Sequence, residues 1–129
     1  MKRSFKMRFY ALIVSASLIF FSVPAMAGDP AAGEKVFKIC KACHVAGEEK
    51  HKTGPHLVNI MGRAAGSAEG YAKYSSAMKQ SGIIWDEATL DAYLAAPKSY
   101  IKGTRMAFAG LKKEDDRANV IAYLKQFSQ

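Results

Sequence analysis

Two thiols and an imidazole stand together in Cys40-Lys41-Ala42-Cys43-His44, and they are the only two cysteines of the chain. Thiols one helical turn apart can add to the two vinyl groups on one edge of a porphyrin, and the adjacent histidine then lies beneath the iron. C-x-x-C-H is the attachment signature for c-type haem. Three other uses of the pair compete with it. A thioredoxin-like dithiol opens a helix after a strand in an alternating pattern, and this sequence shows neither strand nor alternation. A structural zinc site needs two further ligands, but His51 and His56 only loosely imitate a finger. A disulfide between residues so close in sequence closes a loop too small to staple the chain.

A haem held by His44 alone could bind gases or peroxide, whereas a second protein ligand makes the iron an electron carrier. The candidates are Met61, Met78, Met106, His51 and His56. The two histidines and Met61 follow the attachment site closely and belong on its own side of the haem, the histidines reading as loop or surface residues. Met78 falls in a candidate helix, where methionine usually packs a core. Met106 lies about sixty residues beyond His44, in the loop Gly103-Thr104-Arg105-Met106-Ala107-Phe108-Ala109-Gly110, free to approach the opposite face. Its soft thioether favours the ferrous state and raises the potential relative to two histidines.

The elements that must position these groups are helical. Asp29 before Pro30 is a start signal, and Val36, Phe37 and Ile39 give that helix an apolar side up to the cysteines. A short helix is expected over 74–80. A clearer one runs over 87–96, capped by Asp86 and stopped by Pro97. The last, over 113–127, has Glu114, Asp115 and Asp116 in its first turn, Lys125 in its last, and Val120, Ile121, Tyr123, Leu124 and Phe127 as its stripe. Residues 46–70 hold no sustained period, a long loop for so small a domain. A large buried cofactor would supply the apolar surface that justifies it.

Ahead of this domain, Lys2, Arg3, Lys6 and Arg8 precede an apolar run from Tyr10 to Val23 and then Pro24-Ala25-Met26-Ala27. This is the pattern of a secretory signal peptide over 1–27, cleaved after Ala27, and too short for a comfortable membrane span. The uncleaved anchor is the alternative. The remaining 28–129 form one domain, whose formal charge drops from +8 to +4 once the four leader cations are gone. That balance and export from the cytoplasm argue against nucleic acid as a partner.

The sequence resembles the class I c-type cytochromes, the branch of mitochondrial cytochrome c and its small bacterial relatives. The likeness spans the exported domain and is carried by Cys40 to His44, His51-Lys52-Thr53-Gly54-Pro55, Gly82-Ile83-Ile84-Trp85, Tyr93-Leu94 with Pro97, Gly103-Thr104-Arg105-Met106 and Ile121-Ala122-Tyr123-Leu124. It implies an all-α cytochrome c fold, a few helices and long loops around one covalent haem c bound through Cys40 and Cys43, with His44 and Met106 on the iron. It implies further that Pro55 accepts the His44 N–H, that Arg63, Tyr74 and Trp85 help hold the propionates, and that Tyr93 and Thr104 lie near the Met106 sulfur. Gly33, Phe37, Val120 and Tyr123 match the crossing of first and last helices. His56, Val58, the closeness of Phe37 to Cys40 and one extra residue between Tyr71 and Trp85 depart from the mitochondrial branch and point to a bacterial relative.

The expected function is one-electron shuttling in the bacterial periplasm by a monomer, not an enzyme. Lys52, Lys98, Arg105, Lys112 and Lys113, with Lys38 and Lys41 beside them, would meet acidic patches on membrane cytochrome complexes, oxidases or reaction centres. A haem peroxidase or gas sensor with a detachable sixth ligand is the alternative, weakened by the lack of an evident distal acid-base pair.

Overall fold

A computed structural model describes residues 27–129, so the leader assigned to 1–27 lies, but for Ala27, outside the described residues. Five helices follow in order: α1 (Pro30–Phe37), α2 (Ser76–Gln80), α3 (Glu87–Ala95), α4 (Pro97–Tyr100) and α5 (Glu114–Lys125). Among the described residues the only extended pairing recorded is an isolated bridge between Ala64 and Ile84. The all-helical expectation holds.

The Asp29 carboxylate caps α1 by accepting the Ala31 N–H at 2.9 Å, while the Asp29 N–H donates to the Asn119 side chain of α5 at 2.7 Å. The same residue therefore starts one helix and pins it to the other. The two helices cross at Gly33, where an added Cβ would fall 1.9 Å from the Asn119 carbonyl oxygen. Phe37, 1 % exposed, fills the space beside that contact, and its ring lies 5.2 Å from that of Tyr123. Burying such a ring stabilises by about 1.5–3 kcal/mol, and Val120, Ile121 and Leu124 extend the same core along α5.

α3 begins at a reciprocal cap: Asp86 accepts from the Thr89 N–H at 2.7 Å and the Thr89 hydroxyl accepts from the Asp86 N–H at 2.8 Å. Arg117 of α5 reaches across to Asp91 at 2.6 Å and to the Leu111 carbonyl at 3.0 Å, and Lys125 pairs with Glu87. Pro97 does end α3, but it also opens α4, because a proline that cannot continue one helix is well suited to the first turn of the next. The chain then returns over α3, where the Leu111 N–H donates to the Leu94 carbonyl at 2.7 Å. Gly110 (φ 102°) makes that return possible, since a Cβ there would lie 2.4 Å from the Ala95 carbonyl oxygen.

The long segment over 46–70 is a wrapper whose backbone is tied down at intervals. Leu57 donates to Val45, Asn59 to Phe127, Gly62 to Trp85 and Ala65 to Ile83, all within 2.7–2.9 Å. Fixed backbone partners replace the hydrogen bonds a helix would have supplied.

Candidate functional site

The attachment segment continues from α1 as successive tight turns. Cys40 N–H donates to Phe37 at 2.8 Å, Cys43 N–H to Cys40 at 3.0 Å and His44 N–H to Cys40 at 2.9 Å. Both thiols are half-buried and uncrosslinked. Burial, and then the neighbouring Cys43, push the Cys40 thiol up to about 11. A redox dithiol needs a thiolate favoured near neutral pH, so this environment disfavours the thioredoxin reading. The zinc alternative also lacks its ligands: among the described residues no three His, Cys, Asp or Glu side chains gather around a common point.

His44 lies 2.7 Å, through Nδ1, from the Pro55 carbonyl oxygen. Because a carbonyl only accepts, the ring carries a proton on Nδ1, and in its neutral form Nε2 is the unprotonated nitrogen. Burial holds its pKa below the ordinary value; the Pro55 bond opposes this, and the charges of Arg63 and Lys52 reinforce it. Gly54 is required beneath the ring, since a Cβ would sit 2.4 Å from its Cε1, and the Gly54 N–H closes the segment onto the Cys43 carbonyl at 2.8 Å.

A second group forms around α3 and the loop after α4. The Tyr93 hydroxyl lies 2.9 Å from Thr104 Oγ1 and 3.8 Å from the Met106 sulfur, and Thr104 Oγ1 also accepts the Met106 N–H at 3.4 Å. Burial raises the Tyr93 pKa, the Thr104 bond opposing it. The phenol therefore stays protonated and can donate. Trp85 packs on Tyr93 with ring centroids 5.1 Å apart. The Trp85 N–H donates to the Arg63 carbonyl at 2.9 Å, which ties this group to the 46–70 segment.

Arg63 donates to the Val58 and His56 carbonyls, each at 3.0 Å, and its buried Nε has no partner in the protein. Tyr74 accepts the Ala68 N–H at 3.2 Å. Of the expected collar, Lys52, Lys98, Arg105, Lys112 and Lys113 are all exposed. Three are held by backbone carbonyls: Lys52 by Lys41, Arg105 by Lys73 at 3.2 Å, and Lys112 by Ala95 and Ala109 at 3.3 and 3.2 Å. Met78 is buried in the core as its helix position suggested.

His56 lies in a loop, one of the two places expected for it, but not at the surface: it is 8 % exposed, stacked on His51 at 5.0 Å, with a buried Nδ1 that has no partner. His51 in turn reaches the Glu69 carbonyl through Nε2 at 2.7 Å and accepts the His56 N–H through Nδ1 at 3.2 Å. Nothing in the local sequence distinguishes a histidine that braces a loop from one that decorates it. Gly54 likewise carries no local signal of its role, because the contact that requires it exists only with the His44 ring in place.

The family model for cytochrome c matches residues 30–128. The chain belongs to the cytochrome c family. It is 51 % identical over 113 residues to a cytochrome c2 of Rhodomicrobium vannielii, covering 87 % of this chain and 90 % of that protein. It is 48 % identical over 126 residues to cytochrome c-554 of Methylosinus trichosporium, covering 94 % and 95 %. The solved structure of cytochrome cH from Methylobacterium extorquens superposes with a TM-score of 0.73 at 48 % identity, covering 77 % of this chain and 99 % of that one. This cytochrome is accordingly an electron-transport haem protein with the cytochrome c fold.

The residues present fit the haem c that the family implies. Two uncrosslinked thiols stand beside a neutral imidazole with a free Nε2, a thioether lies in the loop that returns over α3, and a buried arginine nitrogen is left without a protein acceptor.

Proposed function

We propose that this chain is a one-electron carrier in the bacterial periplasm, exported by a leader cleaved after Ala27, holding one haem c through Cys40 and Cys43 with His44 and Met106 as axial ligands. The observation that carries it is the Nδ1 contact of His44 with Pro55 at 2.7 Å, which leaves Nε2 as a lone pair beside two unpaired thiols. When bound, the haem supplies an iron that alternates between Fe(II) and Fe(III).

The protein's own residues do the rest. Pro55 orients the His44 ring and keeps its proton on the far nitrogen. Tyr93, anchored by Thr104, directs a hydroxyl at the Met106 sulfur. Arg63, with Tyr74 and Trp85, would hold the propionates, and the unpartnered Arg63 Nε is a donor available for that purpose. With His44 and Met106 as the protein groups that would hold the iron and packed loops around them, little would need to move between oxidation states. Such a centre transfers electrons and performs no bond chemistry.

Lys52, Lys98, Arg105, Lys112 and Lys113 would steer the monomer to acidic patches on membrane-bound redox complexes. Fast exchange requires small, salt-sensitive encounters. Turnover should therefore weaken between about 10 and 200 mM salt, as screening shortens the reach of the charges.

The deciding experiment compares the exported wild-type protein with Met106→Ala. The wild type should carry one haem by mass, begin after Ala27, and bind carbon monoxide poorly when reduced, whereas Met106→Ala should bind it readily. A colourless product with the bare polypeptide mass overturns the proposal, and ready carbon monoxide binding by the wild type favours the sensor or peroxidase reading.

A further inference from the structure

Lys112 belongs to the charged collar, yet its ammonium is already engaged. It donates to the carbonyls of Ala95 at 3.3 Å and Ala109 at 3.2 Å, the first at the end of α3 and the second in the loop that carries Met106. That loop is anchored at both ends on consecutive residues of one helix. At its start Thr104 Oγ1 lies 2.9 Å from the Tyr93 hydroxyl; at its close the Leu111 N–H reaches the Leu94 carbonyl at 2.7 Å and Lys112 reaches Ala95. Leu94 and Ala95 are among the last four carbonyls of α3, which an α-helix leaves without partners of its own. The last turn of α3 also holds no basic residue, so Lys112 supplies from outside the cation that the helix dipole favours there. Between the anchors support is thin: Ala107, Phe108 and Ala109 border an open cavity of about 500 Å³ that Pro97 and Lys98 also line, and Ala107 and Ala109 are exposed. With so few packed neighbours, the end anchors carry the loop.

We propose that Lys112 is a positioning residue for the Met106 sulfur, its ammonium clasping the closing end of the 104–111 loop to the C-terminal end of α3 and thereby opposing replacement of the thioether on the iron by an outside ligand. This rests on the axial-ligand reading and gives a collar residue a second task at that same site. Thioether is a soft donor that favours Fe(II), so in the oxidised protein retention of the sulfur depends on how seldom the loop opens. Lifting the closing end off α3 breaks the Ala95 contact along with the Leu111–Leu94 bond. Lys113 carries the same charge next door and is equally exposed, but its side chain caps nothing at the start of α5. Steering by charge therefore treats the two lysines alike, whereas the clasp belongs to Lys112.

The test titrates imidazole into the oxidised, haem-loaded protein at about 200 mM salt, where screening removes most of the effect of charge alone, and reads displacement of the sulfur from the visible spectrum. Lys112→Met, which keeps the aliphatic stem, should bind imidazole about three- to tenfold more tightly than wild type, the equivalent of one hydrogen bond lost. Lys113→Met, which removes the same charge, should bind it as wild type does. Asp29→Ala, which removes the cap of α1 and weakens the fold away from this loop, should lower the guanidinium midpoint without changing imidazole affinity. An unchanged imidazole affinity in Lys112→Met, or an equal gain in Lys113→Met or Asp29→Ala, overturns the proposal. Met106→Ala sets the upper limit. If it binds imidazole no more tightly than wild type, the axial-ligand reading fails and the clasp falls with it, whereas a tighter Met106→Ala beside an unchanged Lys112→Met sinks the clasp alone.

Discussion

Gly54 lies so closely under His44 that a single added Cβ would stand 2.4 Å from the imidazole Cε1 and 2.8 Å from Nδ1. The ring cannot swing away without breaking its 2.7 Å contact with the Pro55 carbonyl. Gly54→Ala is therefore expected to destabilise the haem-loaded protein by about 1–3 kcal/mol, the usual range for overpacking. It should also lower the haem-to-protein ratio of the exported product. Guanidinium unfolding and the haem absorbance per polypeptide measure both, and a fully loaded variant of unchanged stability contradicts the account.

Tyr93 packs in the core through its ring and turns its hydroxyl toward the Met106 sulfur. Its hydroxyl lies within donating distance of Met106 at 3.8 Å and is oriented by Thr104. With the Met106 sulfur on the iron as proposed, donation would draw electron density from the thioether and favour Fe(II), so Tyr93→Phe should lower the reduction potential. A net hydrogen bond of about 1 kcal/mol, at ~1.4 kcal/mol and ~59 mV per tenfold for one electron, corresponds to a fall of up to about 40 mV. Thr104→Val should move it in the same direction by releasing the phenol. Potentiometry decides, and a rise in either variant contradicts the argument.

The crossing of α1 and α5 is blocked by backbone, not by a flexible side chain. A Cβ on Gly33 would meet the Asn119 carbonyl oxygen at 1.9 Å and its carbon at 2.5 Å. Gly33→Ala should cost about 3 kcal/mol, the upper end of the overpacking range, because neither partner can rotate out of the way. For a domain of about this size that is a thermal midpoint lower by roughly 12–24 °C. Calorimetry of the haem-loaded variant measures it, and a midpoint within a few degrees of wild type would show that the helices can separate freely.

How much of this could be read from residues alone depends on whether the signal was local. The start of α1 was legible because Asp29-Pro30 carries its own capping chemistry, and α5 because charge and apolar stripe agree along it. α4 was missed for a physical reason: Pro97 has the same φ and the same missing donor whether it ends a helix or begins one. Residues 46–70 read as a wrapper, but not how they are tied down, since Leu57 to Val45 and Asn59 to Phe127 are distant backbone pairings with no side-chain signature. The spacing of Cys40, Cys43 and His44 marks the segment that folds into successive tight turns and ends at the Pro55 contact. Burial of His56 was not legible, because stacking on His51 depends on the path of the whole loop.

That burial makes His56 a source of acid sensitivity. Desolvation first, then the charges of Arg63 and His51, hold its pKa below 6.5, with Glu49 opposing. Arg63 also grips the His56 carbonyl at 3.0 Å, and the ring's buried Nδ1 has no acceptor to receive an added proton. The unfolded chain takes up that proton near the ordinary histidine value while the folded chain resists it. Stability is therefore fully present above about 6.5 and declines as pH falls from there toward the lower folded pKa, at no more than about 1.4 kcal/mol per pH unit for one proton. His56→Gln keeps a polar side chain of similar length but removes the titration. The difference in unfolding free energy between wild type and His56→Gln, followed by denaturant titration from about pH 7.5 down to about pH 5, should shift in favour of the variant as acid is added. A difference that stays constant over that range would mean that His56 accepts its proton as easily in the folded protein as in the unfolded one.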